Sequence, residues 1–235
     1  MHRLVACDCL AVAMIFSHAL STAAQDYADV DPRQLGVEPV PRRTDPKTGF
    51  VIGGKNRTAV LAKLGEIVGV NIADLEDSMR PGVLSTAGFL GKDEKLLDVL
   101  VADNRLVVDE LGLTHQQLAR PLRVLGAVAR TEPGKSKVVT YGGRRFRIQA
   151  TLYRASVRSP FEDGTGTNCV VTIHNLANDK KLTYSLLVPE MVERYGFYEG
   201  KGTRYRLEPR SIIEVCDFLK NKPLRRAGKQ EKKKS

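Results

Sequence analysis

Tryptophan is absent from the 235 residues, cysteine occurs four times, and the aromatics amount to seven Tyr and seven Phe. So few cysteines in a chain this long exclude a disulfide framework. Glycine shows no three-residue period and no heptads are sustained, which excludes collagen-like and coiled-coil architectures. No apolar run reaches the roughly 20 residues that a membrane-spanning helix needs. Complete phosphate-loop, Gly-x-Ser-x-Gly and Gly-x-Gly-x-x-Gly patterns are missing as well. What is present, 42% hydrophobic and 27% charged residues, is the composition of a chain that folds and buries a core.

Arg3 precedes an apolar stretch from Cys9 to Leu20 that ends in Ser21-Thr22-Ala23-Ala24. Residues 1–24 therefore read as a secretory signal peptide, and a secreted or periplasmic location is expected, with no integral membrane segment after cleavage. Export would leave two cysteines, Cys169 and Cys216, as a candidate disulfide pair. Both also fall at core positions: Cys169 alternates with Val171 and Ile173, and Cys216 shares a helical face with Ile212, Ile213 and Leu219. A buried free thiol packs as a small hydrophobe.

Residues 25–56, with Pro32, Pro39, Pro41 and Pro46, read as an extended arm or linker, and Phe50-Val51-Ile52 is its one apolar patch. A helical domain is expected over 57–130. Val60, Leu61, Leu64, Ile67 and Val68 carry helical spacing up to Gly69. Asn71, Asp93 and Thr114 are placed to cap later helices, Thr114 with Gln117 in a capping box. From Ser136 to Lys220 the pattern changes to period two. Strands are expected at 137–141, 144–157, 168–175, 181–188 and 203–207, with helices at 189–195 and 209–220. Ten of the aromatics follow residue 140, as a packed sheet requires. The predicted class is α+β: a small N-terminal helical domain, then a mainly antiparallel sheet domain with two or more helices. Residues 221–235 read as a disordered basic tail.

The segment Leu111 to Ala119 resembles the opening of a helix-turn-helix DNA-binding unit. Charge argues against that use. The formal +10 divides into −1 for residues 25–130, +5 for 131–220 and +6 for 221–235, so the look-alike sits in the near-neutral part. A DNA reader needs a basic face. Pro121 is moreover expected to interrupt that helix after about two turns.

The basic excess points to an anionic partner at the C-terminal half. Alternation along 144–153 assigns Phe146, Ile148, Ala150 and Leu152 to the core face and Arg145, Arg147, Gln149, Thr151 and Tyr153 to the opposite one. Strand pairing would add Thr172, His174, Lys181, Thr183 and Ser185 to that outer face. Arg145, Arg147, Tyr153, His174 and Lys181 are the candidate ligand contacts; a solvated antiparallel sheet face also needs polar residues. Cys169 and His174, five apart on a strand, face opposite ways and form no nucleophile–base pair. Metal-ligand spacing is lacking, so no metal and no cofactor is expected.

The leading expectation is thus an exported binding or interaction protein, not an enzyme. A second reading is a secreted hydrolase using the region Glu190 to Glu199, where Glu190, Glu193 and Glu199 alternate with Tyr195, Phe197 and Tyr198. A third, an intracellular nucleic-acid binder, applies if residues 1–24 are not a signal.

Overall fold

The computed structural model describes residues 26–40, 44–45, 50 and 56–221. The expected signal peptide, Val51 and Ile52, and the basic tail from Lys222 onward lie outside the described residues.

The arm lies against the body. The Asp26 carboxylate accepts hydrogen bonds from the backbone of Ala28, Gly142 and Gly143 at 2.8–2.9 Å, and the Tyr27 N–H donates to the Thr140 carbonyl. A single 3-10 turn, Pro32–Leu35, follows, capped by Asp31, and Val40 and Phe50 are buried.

Helix α1 (Thr58–Leu61) is one turn long, shorter than the spacing predicts. Val68 and Gly69 take φ values of 51° and 81°, which turns the chain into a small hairpin, β1 (Glu66–Ile67) and β2 (Val70–Asn71). Helix α2 (Ile72–Ser78) is capped by Asn71 as expected. Helix α3 (Leu96–Asn104) continues into a π-helical stretch, Arg105–Glu110. Its N-terminus is not capped by Asp93; the buried Glu76 of α2 accepts from the Leu96 N–H at 3.1 Å instead.

Helix α4 (His115–Arg130) begins with the Thr114–Gln117 capping box and runs unbroken through Pro121. The proline removes one backbone hydrogen bond and costs about 3 kcal/mol. Leu118, Leu122, Val124 and Leu125 are at most 1% exposed, and burying such side chains yields roughly 1.5–3 kcal/mol each, which outweighs that cost.

Strands β3 (Ser136–Tyr141), β4 (Arg144–Arg158), β5 (Gly166–Asn175) and β6 (Lys181–Ser185) form an antiparallel sheet in sequence order. Helix α5 (Leu187–Tyr195) and α6 (Pro209–Val215) follow, then a 3-10 turn, Asp217–Asn221. The strand expected at 203–207 does not form. Thr203 folds back onto Glu199, and the Leu207 N–H reaches the Tyr198 carbonyl at 3.1 Å. The fold is α+β, with α4 packed between the sheet and α5. One continuous hydrophobic cluster runs from Phe50 to Leu219 and takes in Phe146, Ile148, Val171 and Ile173 of the sheet with Leu118 and Leu122 of α4. No helix among the described residues is long and apolar enough to cross a membrane.

Candidate functional site: the outer face of the sheet

Strand register builds this face. Arg147 of β4 lies directly opposite His174 of β5, and His174 opposite Lys181 of β6, so the three form a row across the sheet. The next row is Gln149, Thr172 and Thr183, in which the two threonine hydroxyls are hydrogen bonded at 2.9 Å. Arg145 stands opposite Thr140 of β3. The alternate residues Phe146, Ile148, Ala150, Val171 and Ile173 are fully buried against the helices, which leaves Arg145, Arg147, Lys181 and Thr183 exposed on the other side.

Charge on the face is mostly uncompensated. Among the described residues, Arg145, Arg147 and Lys181 make no ion pair. His174 is engaged: its Nε2 lies 2.5 Å from Asp179 Oδ1, and Asp179 is held at φ 56° in the β5–β6 turn. His174 thus reaches the row as a hydrogen-bonded imidazole oriented by a carboxylate. Three cations spread over two neighbouring rows, with Arg147 and Lys181 separated by the width of β5, suit an extended anion. Val138, opposite Arg147 and 44% exposed, belongs to the face but was not among the sequence candidates. Its alternation with the buried Val139 and Tyr141 carries that signal.

Tyr153 is not on this face. Register between β4 and β5 shifts from Leu152 opposite Cys169 to Val157 opposite Thr167, an irregularity that reverses the strand's facing. Leu152, expected in the core, is 46% exposed, and Tyr153 joins Ala155 and Val157 along a separate cleft. Ser185, expected on the outer face, is buried, with its hydroxyl accepting from the Leu187 N–H at 3.3 Å.

The candidate disulfide is not formed: Cys169 and Cys216 are free and buried. Both neighbour the fully buried Tyr184, whose hydroxyl donates to the Leu122 carbonyl at 2.7 Å. Burial raises both thiols above their ordinary values, which suppresses the reactive thiolate.

The three glutamates of the hydrolase reading go different ways. Glu190 and Glu193 both bind the buried Arg123 of α4, Glu190 at 2.7 Å, while the third donor of that guanidinium reaches the Glu38 carbonyl. Burial raises the Glu190 carboxyl, opposed by Arg123. Glu199, beyond the α5 C-cap Gly196, lines the cleft with Tyr153. His115, the first helical residue of the helix-turn-helix look-alike, is buried, and the stripe of α4 left unburied, Gln116, Arg120, Ala127 and Arg130, lies on the side where the Pro32–Leu35 turn of the arm packs against the helix. Among the described residues no cluster of three His, Cys, Asp or Glu is arranged to hold a metal. The chain matches no family model, no curated protein and no solved structure.

Proposed function

We propose that the protein is an exported binding module whose outer sheet face, aided by the basic tail, holds an extended anionic partner. The observation that carries this reading is the direct register of Arg147, His174 and Lys181, with Arg145 two residues along β4 from Arg147, on a face that no helix covers among the described residues. Export is supported by the signal-like sequence of residues 1–24. Antiparallel register fixes the backbone spacing of these cations before any ligand arrives, so the ordering cost of binding is confined to their side chains. Affinity should then fall steeply with salt, as for other polyanion contacts.

Retention on phosphocellulose across a salt gradient tests the reading. The Arg145→Ala, Arg147→Ala double variant should elute at clearly lower salt than the parent chain, and the difference should persist when residues 222–235 are removed from both. Elution at the same salt as the parent in the truncated background would remove the sheet face from the proposal.

A further inference from the structure

We propose that the cleft between the 85–89 loop, the distal part of β4 and the 199–205 turn is a binding site for a small amine with an apolar body. Its ammonium group would be held by the Glu199 carboxylate and the ring of Tyr153.

The cleft encloses about 270 Å³, slightly below the roughly 300–1,000 Å³ range of drug-sized pockets, so it suits a small molecule. Phe89, Ala155, Val157, Cys169 and Leu187 make most of its wall apolar. Into this wall is set Glu199, only 3% exposed, at a left-handed φ of 67°. Such backbone costs a non-glycine residue about 1–2 kcal/mol and persists only where its surroundings enforce it. Here they do: the Gly200 N–H donates to the Phe89 carbonyl at 2.8 Å, the Thr203 hydroxyl to Glu199 Oε2 at 2.9 Å, and Arg206 to the Glu199 carbonyl.

Among the described residues no cation forms an ion pair with the Glu199 carboxylate. Arg206 directs its guanidinium to Asp103 at 2.9 and 3.1 Å and to Glu208 at 2.7 Å, and it meets Glu199 only at the backbone. Glu94, from the neighbouring loop, is taken up by the N–H groups of Gly91 and Lys201. Arg204 lies over the Tyr205 ring, 5.2 Å from its centroid. The strands supply no acidic or basic side chain to the cleft wall; Tyr153 is their one titratable contribution besides the buried Cys169. Burial accordingly raises the Glu199 carboxyl to about 7 against the downward pull of Thr203, the Tyr205 N–H and Arg206. An entering ammonium would offset that burial and draw further attraction from the face of Tyr153, while Arg204 stays on Tyr205. An anion gains nothing here once Glu199 is ionised.

Phenethylamine and its neutral counterpart 2-phenylethanol, titrated into the full chain and followed by backbone amide shifts at pH 6 and pH 8, test the proposal. The amine should shift amides of residues 85–89, 168 and 205 and bind about tenfold more tightly at pH 8, where Glu199 is ionised. The alcohol should bind weakly with no such gain. Glu199→Gln should abolish the tenfold rise while sparing the alcohol, and Tyr153→Ala, at an exposed site, should weaken the amine in a chain that folds normally. Absence of amine binding, a flat pH profile in the parent chain, or unchanged binding in Tyr153→Ala would overturn it.

Discussion

His115 Nδ1 lies 2.9 Å from the Tyr198 hydroxyl in a fully enclosed pocket, joining the first turn of α4 to the chain that leaves α5. Asn104 Oδ1, at the end of α3, meets the other ring nitrogen at 3.1 Å. Burial lowers the imidazole from 6.5 to about 4. The unfolded chain therefore takes up a proton below pH 6.5 that the folded chain refuses, and the stability tied to neutral His115 is complete above pH 6.5 and lost as pH falls through 4. His115→Gln keeps a donor and an acceptor without titrating. Urea unfolding should show that this variant lacks about 3 kcal/mol of the parent's acid sensitivity between pH 7 and pH 4.

Arg123 is the sole buried link among Glu190, Glu193 and the arm at Glu38 in the described residues. Arg123→Met removes the cation and leaves two carboxylates at the α4–α5 contact. A loss of about 3–5 kcal/mol is expected at pH 7, recovered in part at pH 4, where burial favours the protonated form of Glu190. The converse, a loss that grows at low pH, would show that the guanidinium does not neutralise this pair.

Glu199 contributes to stability with the opposite sign to His115. Its folded carboxyl, at about 7, keeps a proton that the unfolded side chain has released above 4.5, so its contribution is complete below pH 4.5 and declines as pH rises through 7. Glu199→Gln should therefore gain about 3 kcal/mol relative to the parent between pH 4.5 and pH 8. Taking the difference between the two proteins cancels the His115 slope; a constant difference across that range would contradict the assignment.

Glu76 caps a helix to which it does not belong. Its Oε1 accepts from the Leu96 N–H, and Oε2 pairs with Arg80 at 3.4 Å and Lys95 at 3.3 Å. Glu76→Ala should cost about 1–3 kcal/mol by leaving that N–H buried and unsatisfied. Glu76→Gln, which retains the acceptor, should cost less than half as much in chemical denaturation at pH 7.

The features legible in the sequence are those with local causes. Period-two alternation placed Arg145 and Arg147 opposite the buried Phe146 and Ile148, and the Thr114–Gln117 spacing placed the start of α4. Features with distant causes were not legible. Glu76 replaces Asp93 as the α3 cap through a contact 20 residues away. Pro121 is tolerated because the burial of Leu118, Leu122, Val124 and Leu125 offsets its cost. Glu190, Glu193 and Glu199 are neighbours in sequence, yet Gly196, at φ 70°, turns the chain and sends the last to another surface. Nothing in the residues between Leu152 and Val157 announces the register shift that removed Tyr153 from the expected face.

That register shift has a consequence for how the molecule can vary. Strand β4 is pinned on both edges up to Gln149, by β3 and β5, and by β5 alone up to Leu152, whereas between Leu152 and Val157 it is in register with neither neighbour. A residue gained or lost in this interval would rotate the wall of the cleft and leave the row from Arg147 to Lys181 in place. One strand thus carries two surfaces that mutation can alter separately, with four unpaired residues as the joint between them.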